Sequence, residues 1–168
     1  MTGRVLVAGV GNIFLGDDGF GVAVAERLAD QVMPEGVKVA DYGIRSVHLA
    51  YELLDGYDSL VLIDAVGRGD LPGTLSVLEP CLDSAAQPAE ERLAAMDAHG
   101  MHPEAVLRML ASLGGRVGRV VVVGCEPALV SENLGLSDAV AGAVDQAVTV
   151  VMDLVAELSM PTGKEGSS

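Results

Sequence analysis

Acidic side chains follow two of the apolar segments that the sequence predicts to be β-strands. Asp17 and Asp18 lie in a glycine-rich loop after Val5–Val10, and Asp64 directly follows the apolar run Leu60–Ile63. In an open α/β sheet, ligands bind beyond the carboxyl ends of the strands, so we expect Asp18 and Asp64 to form an acidic pair. The alternative is structural: Asp17 and Asp18 would cap the next helix and complement its dipole, and Asp64 would cap the turn that follows it.

Two histidines are candidates to complete a metal site with this acidic pair. His99 and His102 stand between an irregular stretch, Glu79–Ala98, which we interpret as a long surface loop, and a helix predicted to begin at Pro103. Two carboxylates and one imidazole, with open coordination positions, suit a borderline divalent cation such as nickel or zinc. His99 is the better candidate, because a residue that precedes a proline, as His102 does, fits naturally at the start of a helix.

The glycine-rich loop also invites a nucleotide-binding interpretation, but its spacing argues against one. A dinucleotide fingerprint beginning at Gly9 needs Gly or Ala where Phe14 stands. A P-loop beginning at Gly11 needs Lys and then Ser or Thr after Gly16, but two aspartates follow it and would repel a phosphate. A doubly wound nucleotide-binding module is therefore the less favoured interpretation.

Composition and charge indicate one compact domain that is a poor partner for polyanions. The 168 residues include 10 Lys plus Arg and 24 Asp plus Glu, a formal net charge of -14, which repels phosphate backbones and anionic lipid. The apolar runs are far shorter than the ~20 residues that cross a bilayer, and the first residues lack a signal-peptide pattern. We expect a monomeric, cytoplasmic protein that binds neither nucleic acid nor membrane, with residues 1–158 as one domain and 159–168 as a polar, flexible tail.

Strand and helix patterns alternate along the chain. Short β-branched runs predict strands at 5–10, 37–42, 59–63, 74–78 and 119–125, and the fourth, which is less apolar, is expected at a sheet edge. Apolar residues at helical spacing predict four helices: from Phe20 through Val32, from Ser46 with Val47, Tyr51 and Leu54 as its apolar residues, from Pro103, and a long one capped by Ser137. On the second helix, His48 is expected to pair with Glu52. This alternation indicates an α/β fold with helices on both faces of the sheet.

The combined pattern of glycines, acids and histidine resembles the nickel-iron hydrogenase maturation endopeptidases. The resemblance covers the chain from Arg4 to Leu158 and implies a single-domain, three-layer α/β/α sandwich. Its mixed sheet would have about five strands, one of them antiparallel, which the segment at Thr74 would supply. The residues that carry the resemblance are Gly9-x-Gly11-Asn12, Gly16-Asp17-Asp18-Gly19-x-Gly21, Ile63-Asp64-Ala65, His99-Gly100-Met101, Gly124-Cys125-Glu126-Pro127 and Gly135-Leu136-Ser137.

The resemblance also implies an activity and a set of site residues. Members of this family remove a short C-terminal peptide from the hydrogenase large-subunit precursor after nickel insertion, so the nickel belongs to the substrate and no organic cofactor is implied. By position, the nickel-recognising groups are Asp18, Asp64 and His99. Two mechanisms stay open: nickel docking on these residues positions the scissile bond, or one aspartate also acts as a general base on water. The alternative function is a nickel-binding or nickel-delivering protein that uses the same ligands without proteolysis.

Overall fold

The computed structural model describes residues 3–79 and 103–160, which form a sheet of five strands with helices on both faces. The strand order is β2-β1-β3-β5-β4, and all neighbours are parallel except β4, which runs antiparallel to β5 at the edge. This confirms the expected fold class and the edge position of the fourth strand. The strands are β1 (Val5–Val10), β2 (Val37–Gly43), β3 (Ser59–Ala65), β4 (Leu75–Leu78) and β5 (Arg119–Cys125).

Two apolar cores, one on each face of the sheet, give the molecule its three layers. The helices are α1 (Phe20–Leu28), α2 (Ser46–Leu53), α3 (Pro103–Ser112), α4 (Asp138–Ala141) and α5 (Val144–Leu158), and a 3-10 turn covers Gly16–Gly19. Alternate residues of β1 enter opposite cores: Val5 and Val7 pack with α1 and α5, whereas Leu6 and Ala8 pack with α2 and α3. Such strands must be apolar on both faces, which is the pattern of a parallel sheet covered by helices.

The start of α1 lies directly against the carboxyl ends of β1 and β3. A Cβ atom at Gly21 would stand 1.9 Å from the carbonyl oxygen of Ile63 and 2.5 Å from that of Val10. A Cβ at Gly9 would likewise stand 2.2 Å from the Gly21 carbonyl oxygen. The missing side chains let the helix approach the sheet closely, and the loop before it is thereby held over the strand ends.

The first two helices differ from their sequence predictions. α1 ends at Leu28, and Val32, expected on its apolar face, is 91% exposed. On α2 the expected apolar residues Val47, Tyr51 and Leu54 are exposed, and the buried residues are instead Leu49, Ala50 and Leu53. The α2 sequence carries two apolar stripes. The stripe that is buried is the one that packs in the core with residues of β1 and β3.

The last predicted helix is divided into two. Ser137 caps α4 as expected, with its hydroxyl oxygen accepting from Val140 N, but the helix stops at Ala141 and α5 begins at Val144. By length and composition alone, Asp138–Leu158 could cross a membrane. Val151 and Val155 of this segment are fully buried in the core, and 39% of its apolar 18-residue window is buried. Of the expected polar tail, Ser159 is buried, and 161–168 lie outside the described residues.

Candidate active site

Gly11 is the point at which the two predicted site aspartates meet. Its φ of 125° is a conformation that favours glycine. A Cβ atom there would stand 1.9 Å from the Asp18 carbonyl oxygen and 3.2 Å from Asp64 Oδ1. The structure therefore brings Asp18 and Asp64, which are 46 positions apart in the sequence, next to one glycine, Asp18 through its backbone carbonyl and Asp64 through its carboxylate. Both residues are buried.

Backbone groups donate hydrogen bonds to both of these carboxylates. Asp18 Oδ2 accepts from Asn12 N over 2.8 Å, and Asp64 Oδ1 accepts from Ala65 N over 2.8 Å. The capping interpretation of Asp17 and Asp18 is wrong, because the residue that precedes α1 is Gly19 and no side chain caps that helix. The backbone turns of the loop, rather than the helix terminus, position these acids.

Asp17 has a different surrounding from its neighbour Asp18. Its fully buried carboxylate accepts four hydrogen bonds from the loop after β5, all between 2.7 and 2.9 Å: from Ala128 N, Leu129 N, Ser137 N and the Ser137 hydroxyl. Burial would raise the pKa of Asp17, but these four donors outweigh it and lower the pKa below its ordinary value. Asp17 therefore anchors the loop that carries Asp18.

The loop after β5, residues 126–137, is fastened to this acidic segment by further backbone contacts. Gly16 N donates to the Asn133 carbonyl over 2.8 Å, and Asn133 N donates to the Phe14 carbonyl over 3.0 Å. Near its start, Glu126 Oε1 accepts from Arg68 N over 2.7 Å, which fastens the loop after β3 as well. The loops after β1, β3 and β5 thus form one hydrogen-bonded unit around Asp18 and Asp64.

Sequence reasoning missed the positioning roles of three residues in this unit. Asn12 orients Asp18, Glu126 joins two loops, and Ser137 serves both as a cap of α4 and as a donor to Asp17. The available signals were weak. Asn at a turn and Ser before a helix indicate local hydrogen bonds, but they do not indicate partners far away in the sequence.

The histidines and the buried cysteine are the remaining residues that could bind a metal ion or act as a nucleophile. His99 and His102 lie outside the described residues, and within residues 3–79 and 103–160 no three His, Cys, Asp or Glu residues are grouped as a metal site. His48 is exposed, and Glu52, its expected partner, pairs instead with Lys38 and accepts a hydrogen bond from Tyr57. Burial raises the pKa of Cys125 to about 11, so its thiol is protonated at neutral pH and is a poor nucleophile.

The fold of this chain is similar to the folds of solved hydrogenase maturation proteases. The structure is similar to the hydrogenase maturating endopeptidase HybD from Escherichia coli, with a TM-score of 0.75 and 28% identity over 92% of this chain and 93% of that one. It is also similar to a hydrogenase 2 maturation peptidase from a Thaumarchaeota archaeon, with a TM-score of 0.70 and 34% identity over 91% and 98% of the two chains.

The sequence places the chain in the same group of enzymes. It belongs to the hydrogenase maturation protease family, whose model matches residues 22–154. It is 33% identical to the hydrogenase expression/formation protein HupD of Rhodobacter capsulatus over 86% of this chain and 68% of that protein. It is 27% identical to the hydrogenase 2 maturation protease of Escherichia coli over 92% of both proteins. The chain is thus a hydrolase, an endopeptidase of hydrogenase maturation, which confirms the class of enzyme that the sequence motifs indicated.

Proposed function

We propose that this endopeptidase removes the C-terminal extension of a nickel-iron hydrogenase large-subunit precursor and recognises the nickel that the precursor carries. The observation that carries this proposal is the meeting of Asp18 and Asp64 at Gly11. His99, which follows from the family resemblance, would supply the third group. The reaction would take place in the cytoplasm, with the protease acting as a monomer away from any membrane.

The chemistry of a buried acidic pair supports metal recognition. Buried carboxylates are costly unless they are paired, hydrogen-bonded or bound to a metal ion. Asp18 and Asp64 are both buried and have backbone donors, and two like charges at one edge of a sheet favour the approach of a cation. Carboxylate oxygens and an imidazole nitrogen together suit a borderline cation such as nickel. A precursor that lacks nickel would then lack the contact that positions its scissile bond.

An aspartate could in addition act as the general base of an aspartic-type peptidase. This role requires a carboxylate oxygen within about 3 Å of the attacking water when the precursor is bound. Replacing Asp18 or Asp64 by Asn preserves shape but removes the charge and the basic oxygen. If these residues only recognise nickel, the variants bind the nickel-loaded precursor weakly. If one of them is the base, its Asn variant still binds the precursor but does not cleave it.

The test is intact mass spectrometry of a nickel-iron hydrogenase large-subunit precursor, nickel-loaded or nickel-free, incubated with the protease. We expect loss of a C-terminal peptide only from the nickel-loaded form. Asp18→Asn and Asp64→Asn should each slow cleavage by about 100-fold or more, the lower range for a lost acid–base group. Asp30→Asn, at an exposed aspartate outside the site, is the matched control and should cleave normally.

Two results would contradict the proposal in different ways. Normal cleavage by both Asn variants would remove Asp18 and Asp64 from the mechanism. A stable complex between the wild-type protein and the nickel-loaded precursor, without any change in the precursor's mass, would favour the nickel-binding accessory protein instead. His99→Ala, assayed in parallel, tests the third group.

A further inference from the structure

The turn between β1 and the 3-10 turn exposes two apolar side chains next to Asp18. The Asp18 carboxylate accepts from Asn12 N, and Asn12 Oδ1 accepts from Phe14 N over 2.9 Å. Leu15 N also donates to the Asn12 carbonyl over 3.1 Å, so backbone hydrogen bonds hold this turn beside the acidic pair. Ile13 and Phe14 are nevertheless exposed, and Phe14 keeps 62% of its surface in solvent. Backbone bonds fix the turn, and the outward side chains remain available to a partner.

The loop after β5 carries two more exposed apolar side chains, Leu129 and Leu134. Leu129 forms two hydrogen bonds with Asp17: its N–H donates to the carboxylate Oδ2, and its carbonyl accepts from Asp17 N. Asn133 donates to the carbonyl of Phe14, and the next residue, Leu134, is 69% exposed. These backbone contacts place Leu129 and Leu134 next to the turn that carries Phe14.

A third loop completes the surface. Gly43, at the end of β2, accepts a hydrogen bond from Gly11 N over 2.9 Å, and Gly11 borders both site aspartates. Ile44 follows directly and is exposed. Loops after three strands therefore place exposed apolar side chains around Asp18 and Asp64, and we call this surface the apolar rim: Ile13, Phe14, Ile44, Leu129 and Leu134.

The composition of the rim indicates a polypeptide rather than a free ion. A hydrated cation gains nothing from exposed Phe, Ile and Leu side chains, whereas an apolar peptide segment gains free energy when it buries them. Grouped exposed apolar residues on a soluble surface commonly mark an interaction site. The net charge of -14 disfavours an acidic segment. The complementary ligand is therefore an apolar segment that is neutral or basic.

We propose that the apolar rim docks the segment of the hydrogenase precursor that adjoins its scissile bond. This inference rests on the proposed function, since it names the part of the substrate that reaches Asp18 and Asp64. The two parts of the site have different roles. The acidic pair binds the cation, and the rim supplies affinity for the polypeptide on either side of the scissile bond.

The test compares a rim variant with a matched apolar control. The double variant Phe14→Ser/Leu134→Ser removes two of the three most exposed rim side chains. Val32→Ser removes an even more exposed apolar side chain beyond the far end of α1. Binding to the nickel-loaded large-subunit precursor is measured by biolayer interferometry, and KM and kcat are measured by mass spectrometry. Circular dichroism verifies that both variants are folded.

We expect the rim variant to raise Kd and KM by about 10-fold or more and to leave kcat at saturation nearly unchanged, because it loses interface anchors and not reacting groups. Val32→Ser should match the wild type. Unchanged Kd and KM in the rim variant would overturn the rim proposal while the proposed function stands. Rim-dependent binding by a wild-type protein that does not cleave would support the rim and contradict the protease function. Wild-type protein that neither binds nor cleaves the precursor would overturn both.

A second copy of this chain is the competing occupant of the rim. Size-exclusion chromatography with light scattering decides between the two partners. A wild-type dimer that the rim substitutions convert to a monomer, with precursor affinity unchanged, would assign the rim to self-association and overturn our proposal.

Discussion

At the amino edge of the sheet, an arginine side chain joins the loops. At the carboxyl edge, backbone groups and a buried aspartate join them. Arg4 donates to the carbonyls of Asp55 and Gly56 over 2.7 and 2.8 Å, forms an ion pair with the Asp55 carboxylate, and lies 4.5 Å from the centre of the Tyr57 ring. Its own N–H donates to Asp58. The positive charge at this edge has acidic and aromatic partners, and the network joins the segments that precede β1 and β3.

The carboxyl edge gathers acids within a few residues of each other. Asp17 is balanced by four N–H and O–H donors rather than by a cation, and this bonding holds Asp18 in a buried position beside Asp64. Under the proposed function, this concentration of negative charge attracts the cation that the precursor carries. Charged side chains occur at both edges, so their presence alone does not identify a binding site. The partners of each charged side chain distinguish a candidate binding site from a contact that only stabilises the fold.

The largest effect is expected from adding a side chain where α1 lies against the carboxyl edge of the sheet. Gly21→Ala would put a Cβ atom 1.9 Å from the Ile63 carbonyl oxygen. Neither atom can move away, because the backbone fixes the position of each. We expect the free energy of unfolding to fall by about 3 kcal/mol or more, as in severe overpacking, with loss of cleavage. Chemical denaturation followed by circular dichroism measures the change.

A glycine at the amino edge supplies the control for this substitution. A Cβ atom at Gly118 would meet the Asp58 carbonyl oxygen at 3.2 Å, a contact that a shift of a few tenths of an ångström relieves. Gly118→Ala should therefore cost about 1 kcal/mol or less and leave cleavage intact. Equal losses of stability in the two variants would contradict the close helix–sheet approach as the feature that builds the site.

The second prediction concerns the anchoring role of Asp17. Asp17→Asn removes the charge from an acceptor of four hydrogen bonds and turns an amide N–H₂ group toward one of the donors. The expected loss is about 2–4 kcal/mol, given the strength of hydrogen bonds to charged groups and the cost of unsatisfied donors. Asp58→Asn, with one hydrogen bond at an exposed position, should cost clearly less.

The pH dependence of the Asp17 effect has a definite sign. The folded state lowers the pKa of this carboxyl, so its contribution to stability is fully present above the ordinary pKa of 3.8. It is lost as the pH falls through the lowered, folded-state pKa, where Asp17 takes up a proton. The stability difference between wild type and Asp17→Asn should thus be constant near neutral pH and shrink in acid. A difference that grows in acid would contradict the hydrogen-bonded, ionised state.

Continuous apolar runs made the strands predictable from the sequence, whereas the buried faces of the helices were harder to predict. β1 and β5 occur at their predicted positions because strands buried on both faces must be apolar throughout. The face of α2 was mispredicted because both of its stripes, the one with Tyr51 and the one with Leu49, are apolar. Only the tertiary structure decides which stripe is buried, so periodicity alone could not.

The candidate site shows the same limit at the level of single side chains. The meeting of Asp18 and Asp64 was predictable because parallel strands end at one edge. The anchoring role of Asp17 was not, since its donors lie 111 to 120 positions later in the chain and two of its bonds involve Ser137. Local rules assigned Asp17 and Ser137 to separate helix caps, and only Ser137 is one.

The smallest effect is expected at the amino edge. Arg4→Met keeps an apolar stem against Tyr57 but removes the ion pair with Asp55, whose side chain is largely exposed, and the two exposed hydrogen bonds to the Asp55 and Gly56 carbonyls. Exposed ion pairs, cation–π contacts and hydrogen bonds contribute little, so we expect a loss of about 1–2 kcal/mol with normal cleavage. Raising the salt concentration should shrink this loss, because salt screens the exposed pair. The loss in Asp17→Asn should persist in salt, because its hydrogen bonds are buried. Salt-insensitive destabilisation by Arg4→Met, measured by denaturation at low and high salt, would show that the two edges are held by the same kind of interaction after all.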